Sequence, residues 1–262
     1  QAMEVVVVDD GTAAPLDELP EGVHMIFCRE NRGIASALNA GVGRAMELGA
    51  THVLTLDQDS MIDGDFVPDM RDNWVAAESL GLRPGVMAPD SVGNVVYRGI
   101  RRGFFRDVKE VLQSGSMFSL SALDEVGGFD ESLVIDGVDT EVCLQLRLRG
   151  WDVLTCPLRM EHQLGNAVVI RLAGRSVLLT RHQPFRDYYM TRNRILLIRR
   201  HWRAEPFWCL GAARRLLTAL VLTLALDSQR KVKARAIALG FRDGVANRSG
   251  ALLKERRAQW SQ

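Results

Sequence analysis

Two hydrophobic runs that each stop at a pair of carboxylates constrain this chain more than any other feature. Val5 to Val8 is β-branched at every position and ends in Asp9, Asp10, Gly11 and Thr12; His52 to Leu56 ends in Asp57, Gln58, Asp59 and Ser60. An unbroken β-branched run belongs to a strand buried on both faces, as in a parallel sheet. Val23 to Phe27 reads as a further strand. Between the runs, Ile34, Leu38, Val42, Ala45 and Met46 recur at helical spacing across Ile34 to Leu48, with Asn31 and Gly33 as start signals, and Phe66 to Leu80 reads as a second helix. Strands alternating with helices predict an α/β fold with a mostly parallel sheet, whose ligands sit at the carboxyl ends of the strands. Both acidic pairs are therefore expected on one edge of the sheet.

The second half is less regular. Val92 to Arg106 reads as a loop or hairpin, Ser114 to Leu120 as a strand, and Gly127 and Gly128 as a break. Asp139 to Arg149 reads as a helix closed by Gly150, and Trp151 to Cys156 as a strand. Beyond Pro184 the pattern is helical: Tyr188 to His201, Trp208 to Leu226, and a basic stretch from Arg230. Charge divides at the same place. Residues 1–191 carry 17 basic and 28 acidic residues, net −11, whereas residues 192–262 carry 16 and 4, net +12. Such a tail is directed at an anionic partner. Its longest apolar run, Leu216 to Leu226, is about half the roughly 20 residues that cross a bilayer, so it is expected to lie on a membrane rather than span one. Cys28, Cys143, Cys156 and Cys209 are far apart, which indicates neither a zinc ribbon nor a disulfide framework and fits a reducing cytoplasm. No signal peptide is recognisable.

Four groups of residues could carry chemistry. Asp57 and Asp59 offer hard oxygen ligands to Mg²⁺ or Mn²⁺ at a strand end. Asp9 and Asp10 suit an ordinary turn, and beside Asp59 they also suit a nucleotide pocket in which Asp10 accepts from a base or ribose. Asp136, Asp139 and Glu141 surround a helix start, where acids complement the dipole; Asp139 could instead take a hydroxyl proton as general base. His162 is a lone imidazole at the end of a strand, and imidazole is a common metal ligand.

In order and spacing, VVVVDDGT (Val5–Thr12), NRGIASALNAG (Asn31–Gly41), LTLDQDS (Leu54–Ser60), GGFDESLVIDGVDTEVCLQLRLRGW (Gly127–Trp151), EHQLG (Glu161–Gly165) and YYMTRNR (Tyr188–Arg194) resemble the family 2 glycosyltransferases over roughly residues 4–200. The DQDS and VDTE segments followed by YYMTRNR are closest to the bacterial rhamnosyltransferases. The resemblance implies a GT-A fold, a nucleotide-sugar donor, a divalent metal (Mg²⁺ or Mn²⁺) and inversion at the anomeric carbon. It implies Asp139 as catalytic base, Asp57, Asp59 and His162 around the metal, and Asp9, Asp10, Asn31, Gly33 and Asp57 around the nucleotide. The sequence opens after the family's usual first strand and helix, which carry part of that pocket. Leu38 stands where the wider family often has an arginine, so Arg192 and Arg194 are the candidates for a phosphate contact, with Asp136 beside the acceptor.

These readings divide the chain into a catalytic domain at 1–186 (nucleotide-sugar half 1–90, acceptor half 91–186) and a helical basic region at 187–262. The expected partners are a nucleotide-sugar donor, a glycan or lipid-linked glycan acceptor and an anionic membrane surface, placing the protein in the cytoplasm, peripheral on the inner face of a bacterial membrane. Nucleic acid, the competing anion, is not expected, for want of a binding motif. The activity expected is transfer of L-rhamnose from dTDP-rhamnose to a cell-envelope polysaccharide or polyprenyl-linked glycan. Its rivals are the same chemistry from UDP-galactofuranose or a UDP-hexose, and a truncated non-catalytic chain that binds nucleotide or membrane.

Overall fold

The apolar runs and helical repeats of the first half form strands and helices where their patterns predict them, but Val5 is exposed, Val6–Val8 are only part-buried, and their strand stands with Val23–Phe27 in a two-stranded sheet of its own, so the two acidic pairs end strands of different sheets rather than of one. A computed structural model describes residues 3–12, 20–162, 167–172, 175–180, 183–227 and 229–252. β1 (Val5–Asp9) pairs in parallel with β2 (Val23–Phe27), Val5 opposite Val23 and Asp9 opposite Phe27. α1 (Ile34–Glu47), β3 (His52–Thr55), the two-residue β4 (Ser60–Met61) and α2 (Phe66–Ser79) follow. The next strand, β5 (Pro84–Val92), was not legible in the pattern: its two prolines and one glycine weaken a strand signal, yet its centre is wholly buried. The Gly- and Arg-rich stretch supplies β6 (Val95–Val96) and the hairpin of β7 (Ile100–Arg102) and β8 (Phe105–Asp107). β9 (Ser116–Ser119), α3 (Leu120–Val126), α4 (Val138–Leu148) and β10 (Asp152–His162) follow, and β11 (Ala167–Leu172) with β12 (Arg175–Thr180) forms an unanticipated hairpin.

The main sheet runs in the order β3-β9-β5-β10-β8-β7, with β4 added to β10 and β6 to β5. It is mixed rather than mostly parallel. β10 lies parallel to β5, whereas β9 is antiparallel to both β3 and β5, and β8 is antiparallel to β10. The short connections β5–β6 and β7–β8 can join only antiparallel neighbours, and the parallel pair of β5 and β10 is reached by a long crossover. With β9 inserted between them, β3 and β5 point the same way as β10. The carboxyl ends of β3 and β10, and so Asp57 and His162, share one edge.

Alternation along the central strands sorts side chains into two cores. Val86, Phe118 and Val153 face α1, α3, α4 and the C-terminal helices, while Met87, Met117 and Leu154 face Phe66, Met70 and Trp74 of α2. The C-terminal helices are α5 (Pro184–His201), α6 (Pro206–Leu226) and α7 (Arg230–Val245). Leu196 and Leu197 of α5 and Trp208 and Ala212 of α6 belong to the first core, so the basic region packs onto the main sheet. α7 approaches α5 through Gly240 and Gly244: a Cβ on Gly240 would stand 2.5 Å from the Tyr188 carbonyl. The structure revises one expectation about α6. Its 21 residues are long and apolar enough to cross a membrane by length and composition, because the helix starts ten residues before the uninterrupted run.

Candidate active site

The site is built around the start of α4. Residues 134–137 lead into it with Val134 at φ 68°, Asp136 at φ 63° and Gly137 at φ 84°. Left-handed backbone is costly for a β-branched residue and persists only where neighbours over-determine it. Those neighbours come from the YYMTRNR segment on α5. Asn193 donates from Nδ2 to the carbonyls of Leu133, Ile135 and Asp136 at 2.8–2.9 Å. Arg192 donates to the carbonyls of Ser132, Leu133 and Gly250 and lies 4.7 Å over the Tyr189 ring. Gly33, at the start of α1, presses against Val134, where any side chain would meet the Val134 carbonyl. Arg186 forks onto Asp136 at 3.0–3.1 Å.

In the first turn of α4, Asp139 lines a cavity of about 380 Å³ together with Tyr97, Glu110, Asp136, Thr140 and Arg194. Its Oδ1 accepts from the Thr140 amide at 2.8 Å. Burial pushes the Asp139 carboxyl up to about 6; the Thr140 bond opposes this, Glu110 and Asp136 add to it, and Arg194 offsets part. A carboxylate with that proton affinity, open to a cavity, suits general-base work near neutral pH. Arg194 keeps one buried guanidinium nitrogen, Nη1, without a hydrogen-bond partner. Burial pulls its own proton affinity down, against the carboxylates of Glu110, Asp139 and Asp136.

The DQDS loop is fastened from the segment before β9. Gln113 donates to Asp57, the Asp57 amide donates to Ser114 Oγ at 3.0 Å, and Ser60 Oγ lies 2.6 Å from Ser114 Oγ. Asp59 is exposed in the turn that follows. β4 then pairs with the end of β10, so His162 stands opposite Ser60, one residue from Asp59. The backbone thus carries Asp57, Asp59 and His162 to one sheet edge. Among the described residues, no three His, Cys, Asp or Glu side chains form a ready cluster. Arg186 joins the halves: burial works against its charge, and Asp136, then Asp139 and Asp57, outweigh it and hold it protonated.

The N-terminal acidic turn has local partners. Asp9 accepts from the Thr12 amide at 2.8 Å and from the Thr12 hydroxyl, and the hydroxyl first, then the amide, holds its carboxyl below the usual range. Asp10 accepts from the amides of Arg32 and Gly33 at 3.0 Å each, fastening β1 to the start of α1. The turn role is therefore real for both, and Asn31 sits with its backbone against Gly11.

Several expectations change in detail. Arg192, expected at a phosphate, is 1% exposed, and its guanidinium is committed to loop carbonyls. Asp136, expected beside the acceptor, is engaged by Arg186. Glu141, read as a dipole complement, is instead buried against His201 Nε2 at 2.6 Å and Arg200 at 3.3 Å, tying α4 to the end of α5. Gln163 to Gly165 of the EHQLG segment lie outside the described residues. Sequence reasoning missed Gln113, Ser114, Glu110 and Arg186, which stand in no motif and meet the site only through the fold.

Comparison with known proteins identifies the family. The family model described as Glycosyl transferase family 2 matches residues 1–119. The chain is 32% identical over 213 residues to a dTDP-rhamnosyl transferase, RfbF, of Shigella flexneri, covering 75% of this chain and 71% of that protein. It is 27% identical over 176 residues to a poly-beta-1,6-N-acetyl-D-glucosamine synthase of Staphylococcus aureus, covering 60% of this chain and 42% of that one. In fold it is similar to the crystal structure of GalNAc-T7 with UDP, GalNAc and Mn²⁺, at a TM-score of 0.54 and 12% identity, covering 93% of this chain and 50% of that chain. A GT-A sheet with the acidic turn at its carboxyl edge, together with the rhamnosyl transferase relative, makes this chain a glycosyltransferase that belongs to family 2.

Proposed function

We propose that this glycosyltransferase transfers L-rhamnose from dTDP-rhamnose, with inversion, to a cell-envelope glycan or a polyprenyl-linked glycan at the inner face of a bacterial membrane. The observation that carries the reading is Asp139, a carboxylate pushed up to about 6 at the wall of a cavity that Arg186 links electrostatically to Asp57. The relative from Shigella flexneri supports rhamnose and dTDP as the donor parts. In this reading the acceptor hydroxyl enters the cavity, Asp139 takes its proton, and the oxygen attacks the anomeric carbon from the face opposite the diphosphate. The C–O bond to the acceptor forms as the bond to the diphosphate breaks, and the nucleoside diphosphate leaves with the electron pair.

Asp57, Asp59 and His162 are the residues that would hold Mg²⁺ or Mn²⁺. A divalent cation bound there supplies Lewis-acid stabilisation of the charge on the departing diphosphate. Asp9, Asp10, Asn31 and Gly33 form the wall assigned to the nucleotide, and Arg194 is the cavity cation assigned to an acceptor or phosphate oxygen. α6 supports the membrane part: Phe207, Leu210, Leu217, Val221 and Leu224 are exposed along its outer side, and Arg214 is exposed among them. An apolar stripe bearing cations suits an anionic interface.

Replacing Asp139 with Asn tests the assignment. Loss of a general base lowers turnover by about 10²–10⁴-fold, with donor binding retained. Turnover close to wild type would remove Asp139 from the base role.

A further inference from the structure

Thr140 holds two acids at once. Its amide donates to Asp139 Oδ1 at 2.8 Å, and its hydroxyl donates to Glu110 Oε2 at 2.9 Å. Glu110 comes from the segment between β8 and β9, lines the same cavity, and accepts through its other oxygen from Arg215 of α6 at 3.1 Å. Asp139, Thr140, Glu110 and Arg215 thus form a chain from the cavity to the outer helix. Nothing in the motif set accounts for Glu110, and the proposed reaction gives it no proton to carry.

We propose that Glu110 is a positioning residue for the transfer reaction, fixing the first turn of α4 through Thr140 and setting the proton affinity of Asp139 by its charge, with Arg215 governing how much of that charge Asp139 feels. The inference rests on Asp139 as the base. Two like charges disfavour joint ionisation, so a carboxylate held beside a base makes it a better proton acceptor, and a cation that neutralises the first makes it a poorer one. The groups facing Asp139 come from every neighbouring element: Glu110 before β9, Asp136 before α4, Cys143 on α4, Tyr97 after β6, and Arg186 and Arg194 on α5. Arg186 is matched to Asp136, and Arg194 is the cation that opposes Asp139 itself. Glu110 is the carboxylate whose charge is tuned from outside the cavity, by a half-exposed arginine on the helix assigned to the membrane.

The test is a ¹³C NMR titration of the Asp139 carboxyl in the full chain, its resonance assigned by its loss in Asp139→Asn. In Glu110→Gln the midpoint is expected to fall by about half a pH unit or more, and in Arg215→Met to rise, because the two variants remove opposite charges. Thr140→Val, which keeps both charges and breaks the hydroxyl bridge, is expected to lower kcat with little change in donor KM. Midpoints that stay in place in both charge variants, or move in the same direction, overturn the inference. Thermal melts of each variant separate misfolding from tuning, and Arg215→Met, altering an exposed side chain, keeps the test open should Glu110→Gln unfold. Failure of the base assignment is read separately, as retained turnover in Asp139→Asn.

Discussion

Arg186 and Asp136 form a forked ion pair, Nε within 3.1 Å of both carboxylate oxygens and Nη2 3.0 Å from Oδ1. The pair joins the first turn of α5 to the left-handed loop that launches α4, and the same guanidinium feels Asp139 and Asp57. One side chain therefore organises the loop and faces the acids of both halves of the site.

Lysine cannot reproduce that fork. Arg186→Lys is expected to lower kcat by about 10-fold or more while leaving the melting temperature within a few degrees. Steady-state kinetics and a thermal melt check both; unchanged kcat would reduce Arg186 to a loop fastener.

Asn193 holds three carbonyls of the strained loop. Asn193→Ala leaves them without that donor in a buried setting, so a loss of about 1–3 kcal/mol in stability is expected by chemical denaturation, and activity falls with it as Asp139 loses its fixed approach. Asn193→Asp, which keeps the size but removes the amide donor, should behave alike.

Asp139 links activity and stability with opposite signs. Its carboxyl is raised to about 6, so turnover should fall as pH drops through that value. A raised acid binds its proton more tightly folded than unfolded; its contribution to stability is greatest below the unfolded value near 4 and is lost as pH rises through about 6. Asp139→Asn is therefore expected to melt higher than wild type at pH 8 while losing turnover. A lower melting temperature there would contradict the burial cost assigned to this carboxylate.

Much of this was legible in the chain because the first half is locally consistent: β-branched runs, glycine starts and acidic turns each point to one structure. Val5 to Asp9, Ile34 to Glu47 and the edge shared by Asp57 and His162 follow from pattern and topology. β5 did not, since Pro84, Gly85 and Pro89 speak against a strand and only burial between β9 and β10 makes one. The roles of Arg192 and Arg194 could not be separated by reading, because two positions on a helix differ by 200° in direction, which sends one side chain into the loop carbonyls and the other to the cavity. Glu110 and Gln113 carry no local signal and enter the site only through long-range packing.

The outer side of α6 makes its own prediction. Leu217→Asp with Val221→Asp places charge in the exposed apolar stripe and should abolish sedimentation with vesicles of anionic lipid, leaving the fold intact by circular dichroism. Binding to neutral vesicles should be weak for wild type, and equal binding by the double variant would remove α6 from the membrane contact.

The most direct test of the account is release of dTDP from dTDP-rhamnose by the purified chain, with Mn²⁺ and bacterial membrane vesicles supplying acceptor, compared with UDP-galactofuranose and UDP-glucose as donors. The account predicts release and label transfer from dTDP-rhamnose alone, abolished in Asp139→Asn. Transfer from a UDP-sugar in its place, or dTDP-rhamnose turnover that survives the Asn substitution, would contradict it.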